Sequence, residues 1–143
     1  MAEYLANHKA DAYRHDLGPG DLLITADTIV CLGDRILNKP QDEAEAHAML
    51  RLLSGQVHEV ITGVCLLSQD KKAVFHDLTR VHFKALTEKE IRHYVSKYRP
   101  LDKAGAYGAQ EWLGMIGVDR IEGSYFNVMG LPVHKLYEEL QRF

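Results

Sequence analysis

The sequence predicts an α/β protein built on a mixed β-sheet with helices against it. Apolar runs rich in β-branched residues, Leu22 to Leu32, Val57 to Leu67 and Ala73 to Phe83, alternate with segments of helical periodicity. Some of these runs are separated by turns too short for a crossover, so hairpins must occur beside any parallel pairs. A length of 143 residues, 46% of them apolar and 26% charged, suits one domain with a real core.

Residues 2–17 read as a helix with Leu5, Tyr13 and Leu17 among its apolar positions, stopped by the turn Gly18-Pro19-Gly20-Asp21. Strand 22–32 meets the two-residue turn Gly33-Asp34 and returns over Arg35-Ile36-Leu37. A second helix spans 42–53; Asp42 with Glu45 resembles a capping box, and Ala44, Ala48, Met49, Leu52 and Leu53 form its expected buried stripe. Two long strands follow around the polar turn 68–72, then a helix opened by the pair Thr87 and Glu90 and ended by Pro100. Beyond the Gly-rich stretch 105–117 come a short strand over 118–121 and an irregular segment 123–130. A last helix starts at Pro132, with Val133, Leu136, Tyr137 and Leu140 on one face.

A net charge of −3 gives no sign of a nucleic-acid-binding surface. No apolar run approaches the roughly 20 residues of a membrane span, and no secretory leader is visible. Cys31 and Cys65 lie inside apolar runs and are expected as buried free thiols of a reducing compartment. The eight histidines are scattered, and neither H-E-x-x-H nor C-x-x-C occurs.

Four segments carry candidate chemistry. Asp27 sits in Leu22-Leu23-Ile24-Thr25-Ala26-Asp27-Thr28-Ile29-Val30, a run otherwise built for burial. A carboxylate there costs several kcal/mol unless paired or metal-bound. Such a position suits a general base; a cap, or a pair with a basic side chain at a strand end, is the other reading. Lys39, pinned before Pro40, could meet a phosphate as a point charge or simply be a solvated loop lysine. In Leu101 to Gln110 the small residues permit close backbone approach, Asp102 and Lys103 offer a metal ligand and a phosphate contact, and Gln110 could read a base edge. That stretch is neither a Walker loop nor a dinucleotide fingerprint, and could be purely structural. Arg120 to Pro132 reads either as an anion-binding helix start or as a well-packed turn. The absence of G-x-S-x-G disfavours serine hydrolase chemistry.

Taken in order and spacing, ITADTIV, NKP, LSGQVHEVITGV, DKAGAYGAQ and RIEGSYFNVMGLP resemble the Maf family over nearly the whole chain. The resemblance implies an elongated mixed sheet with a central cleft, similar to inosine triphosphatase-like enzymes. It also implies cytoplasmic, house-cleaning hydrolysis of nucleoside triphosphates to monophosphate and pyrophosphate, with a divalent cation, magnesium or manganese. Residue by residue it implies Asp27 as proton acceptor, Lys39 and Lys103 as catalytic cations, Thr28 and Gln110 as substrate-binding residues, and Asp102 as metal ligand. Gln110 and the SYFNV wording resemble the dTTP/UTP branch rather than the 7-methyl-GTP branch. The family's S-x-S-P-R-R loop and its strand are missing from this sequence, so the expectation is a single N-terminally truncated domain over 1–143, weakly active and with exposed apolar surface. The expected partner is a nucleoside triphosphate, with room for a homodimer and none for nucleic acid or membrane. The alternative is a catalytically weak binding protein acting in septum formation and cell division.

Overall fold

In the computed structural model, which describes residues 1–143, the chain runs α1 (Ala2–Ala12), β1 (Leu23–Leu32), β2 (Arg35–Leu37), α2 (Glu43–Leu53), β3 (Val57–Leu67), β4 (Lys72–Phe83), α3 (Glu88–Tyr98), α4 (Trp112–Gly117), β5 (Val118–Glu122), α5 (Tyr125–Met129) and α6 (Val133–Arg142). One open sheet holds the strands in the order β2-β1-β3-β4-β5. The hairpin at Gly33-Asp34 pairs Val30 with Leu37 and Leu32 with Arg35. At the other edge Arg80 faces Glu122, with a register shift between His82 and Phe83.

Two compact units divide the residues: Met1–Thr28, Ile61–Leu78 and Ser124–Phe143 form the first, Ile29–Val60 and Thr79–Gly123 the second. β1 leaves the first unit for the second, β3 returns, and β4 leaves again. These neighbours therefore alternate in direction, and the sheet is antiparallel where a mixed one was expected. The reason is local: α2 follows a completed hairpin and hands the chain back antiparallel, so it is not a crossover between parallel strands.

In the first unit β3 is covered on both faces. Its residues alternate sides, and Cys65 and Leu67 pack with Ala6 and Ala10 of α1. Val64 and Leu66 pack with Phe75 and with Leu136 of α6. This double cover is why GVCLL is an unbroken apolar run rather than an alternating one. The buried side of α1 is Ala2, Ala6 and Ala10, not the larger residues; Tyr13 is exposed. The helix also stops at Ala12, because Tyr13 leaves helical dihedrals (φ −106°, ψ 4°), and a single 3-10 turn covers Arg14–Asp16. In α6, Leu136 is buried and Leu140 joins its cluster, while Val133 and Tyr137 face outward.

In the second unit α2 packs on α3 and on the turn at 104–106. Asp42 caps α2, its carboxylate accepting from the Glu45 N–H at 2.8 Å. The buried stripe of α2 is Ala46, Met49, Leu50 and Leu53, rotated from the expected one, with Leu52 exposed. The capping box at Thr87 and Glu90 is fully formed, and Ile91, Tyr94 and Val95 are the buried face of α3. Both cysteines are free thiols, but Cys31 is only half-buried. No helix is long and apolar enough to cross a membrane.

Candidate functional site

On β1, Asp27 and Thr25 face α1. The Thr25 hydroxyl donates to the Ala6 carbonyl at 2.6 Å, and Asp27 Oδ2 lies 3.4 Å from Lys9 Nζ. Lys9 also donates to the Ala26 carbonyl at 3.2 Å, so its ammonium is held at two points over the strand. The carboxylate is not the isolated, apolar-buried group expected from the run around it. Its side chain is 25% exposed and Lys9 is 52% exposed, so the cost of a stranded buried charge does not arise. The basic partner of the second reading is present, while the carboxylate stays partly open to solvent, as the first reading requires. Lys9 escaped the sequence reading because its link to Asp27 is tertiary; the only local hint is its place beside the buried Ala6 and Ala10.

Thr28 leaves β1 from the opposite face, as strand alternation requires. Its hydroxyl and that of the fully buried Thr62 are 2.8 Å apart, and Thr62 donates to the Asn127 carbonyl at 3.1 Å. Thr62 has one proton and a carbonyl only accepts, so Thr28 is the donor in the first bond. The lone pairs of Thr28 Oγ1 are what remain for another partner. Asn127 belongs to α5, which forms inside the stretch expected to be irregular: Ser124 caps it, accepting from the Asn127 N–H at 3.2 Å. Asn127 Nδ2 donates to the Asp77 carbonyl at 3.2 Å. Neither Thr62 nor Asn127 was singled out by the sequence as an individual residue.

In the second unit the NKP and DKAG segments meet. Gly105 N–H donates to the Asn38 carbonyl at 3.3 Å. Gly105 has φ 72°, and a Cβ there would stand 3.1 Å from the Val30 side chain, so the position favours glycine. The next residue, buried Ala106, is also left-handed (φ 64°), at a cost of about 1 kcal/mol. Lys39 is exposed beside the buried Pro40. Asp102 is 77% exposed and lies 3.5 Å from the ammonium of Lys103. Gln110 is an exposed residue.

The loop is anchored from beneath by buried rings. His58 Nε2 is 2.6 Å from the Tyr107 hydroxyl, and Phe83 stands edge-on to both rings. Burial, helped by the charge of His82, pushes His58 down to about 4, while burial raises the Tyr107 hydroxyl. An unfolded imidazole titrates near 6.5. Above that pH both states are neutral and the packing is fully available; as pH falls from 6.5 toward 4, only the unfolded state gains the proton and stability is lost. The loss from this one group should reach about 3 kcal/mol by pH 4. Denaturant titrations at pH 7 and 4.5 should therefore differ less in His58→Phe than in the parent chain; parallel pH slopes would count against the assignment.

No three His, Cys, Asp or Glu side chains gather as a metal-ligand set. Asp27 is engaged by Lys9, so that carboxylate does not fit a resident divalent cation.

Residues 1–143 match the Maf-like protein family along their whole length. The chain belongs to the Maf-like protein family. A relative from Bacteroides thetaiotaomicron, named dTTP/UTP pyrophosphatase, is 55% identical over 99% of this chain and 74% of its own length. Relatives of the same name from Parabacteroides distasonis and Porphyromonas gingivalis are 53% and 52% identical, over 72% and 71% of their lengths. In this Maf-like chain the family motifs thus fall on two described clusters: Lys9, Asp27 and the Thr28–Thr62–Asn127 chain in the first unit, Lys39 and the 102–111 loop in the second.

Proposed function

We propose that this chain hydrolyses dTTP and UTP to the nucleoside monophosphate and pyrophosphate, with Asp27 as proton acceptor. The observation that carries the reading is a partly exposed carboxylate fixed on a central strand by Lys9, in a family whose relatives at 52–55% identity bear the name dTTP/UTP pyrophosphatase.

Lys9 engages Oδ2, which leaves Oδ1 to receive a proton from water. The water oxygen bonds to the α-phosphorus, the bond from that phosphorus to the bridging oxygen breaks, and pyrophosphate departs. Lys39 and Lys103 offset the negative charge of the phosphates. Gln110 supplies an amide able to donate and accept at a base edge, and Thr28 contributes lone pairs to substrate choice. A divalent cation enters this scheme as part of the substrate: magnesium is commonly held by one or two carboxylates together with phosphate oxygens and water, and Asp102 is the exposed carboxylate suited to meet it. Chromatographic separation of products from dTTP, UTP, CTP and GTP tests the proposal. Monophosphate and pyrophosphate in equal amounts, with dTTP and UTP consumed fastest, are expected. Diphosphate and orthophosphate as products would overturn it.

A further inference from the structure

Beneath the 102–111 loop, Tyr94 of α3 is fully buried, yet its hydroxyl makes two hydrogen bonds. It accepts from the Gly108 N–H at 3.1 Å and donates to Glu111 Oε1 at 2.6 Å. The same Glu111 oxygen lies 2.9 Å from the point where a Cβ on Gly108 would sit, and Lys103 Cε lies 3.0 Å from that point. A carboxylate and a lysine thus flank one bare glycine. Even so, the ammonium of Lys103 turns to Asp102 Oδ2 at 3.5 Å and makes no ion pair with Glu111. Glu111 commits Oε1 to a donor that is itself fixed, because the Tyr94 ring is packed in the core and stacked on Tyr98 with centroids 5.1 Å apart. Burial and the neighbouring carboxylate raise the Tyr94 hydroxyl well above the usual tyrosine range, so it stays a donor.

We infer that Tyr94 is a positioning residue that restrains the Glu111 carboxylate from capturing Lys103, and so keeps Lys103 available to a polyphosphate. This deepens the proposed function, since it rests on Lys103 meeting phosphate, but it does not require turnover.

The test is calorimetric binding of inorganic tripolyphosphate to the whole chain. Tyr94→Phe keeps the ring and removes the hydroxyl, freeing Glu111 to swing onto Lys103. Its affinity should fall about five-fold, the upper size of one partly exposed ion pair. Tyr94→Phe combined with Glu111→Gln removes the competing charge and should return to within about two-fold of the parent. Glu111→Gln alone still accepts from Tyr94 and should bind at least as tightly as the parent. A merely structural tyrosine would leave the double variant as weak as the single one, and that result overturns the inference. So does unchanged binding in Tyr94→Phe, a loss in Glu111→Gln, or a parent chain that binds no tripolyphosphate. Should Tyr94→Phe not fold, Glu111→Gln and Glu111→Asp decide: a carboxylate too short to stay with Tyr94 should weaken binding, and the amide should not. Product analysis with dTTP is read separately, so failure of hydrolysis with intact polyphosphate effects would reject the catalytic reading alone.

Discussion

Asp27→Asn should lower kcat for dTTP by about a thousand-fold, within the range expected when a general base is removed. The amide is nearly isosteric and still accepts hydrogen bonds, but it cannot take the proton of the attacking water. Stability should hardly change. The pair with Lys9 is partly exposed, and such pairs contribute about 1 kcal/mol or less, so the melting temperature should move by a few degrees at most. KM should stay within a small factor, because the group acts on water and not on the nucleotide. Lys9→Met should fall between parent and Asp27→Asn in kcat: it leaves the carboxylate in place but removes what orients Oδ2. A kcat for Asp27→Asn within about ten-fold of the parent would remove Asp27 from the chemistry, and the proton acceptor would have to be sought elsewhere.

Local chemistry was legible in the sequence, and tertiary choice was not. Thr87 with Glu90 specifies its own helix start, because the partners lie three residues apart and satisfy each other's backbone donors. Gly33-Asp34 specifies its hairpin for the same kind of reason. The buried side of a helix depends on what covers it. In α1 the sequence offers both an aromatic–aliphatic set and an alanine set, and the fold buries the alanines because β3 approaches closely. In α2 the stripe turned by about a residue for the same reason: α3 and the 104–106 turn decide which side is inward. Helix α5 was missed because five residues hold too little periodicity to register; only the Ser124 cap marked it. At the site, the position of Asp27 was readable as an acid within an aliphatic run, but its partner was not. Lys9 stands on another element, and nothing in the spacing of the two residues announces an ion pair. The same holds for His58 and Tyr107, which are 49 residues apart, and for Tyr94 beneath Gly108, 14 residues away.

The largest effect on stability is expected from Gly63→Ala. On β3 this glycine faces the start of α1, and an added Cβ would stand 2.3 Å from the carbonyl carbon and oxygen of Ala2 and 2.4 Å from the Glu3 nitrogen. All three are backbone atoms, so no rotamer change relieves the contact. The helix must lift, and it is a rigid rod whose inward side, Ala2, Ala6 and Ala10, has no side-chain length to spare. Lifting it opens the cluster formed with Cys65 and Leu67. Overpacking of this kind costs about 3 kcal/mol or more, a large share of the 5–15 kcal/mol typical of a whole protein. The displacement should also reach Lys9, seven residues and about 10 Å further along α1, so any folded Gly63→Ala should lose turnover with Asp27 itself unaltered. Thermal and denaturant unfolding check the first part, and kcat of the folded fraction checks the second. A melting temperature within about 2 °C of the parent would mean that α1 does not rest on β3 at this distance, and the Lys9–Asp27 pair would lose its structural footing with it.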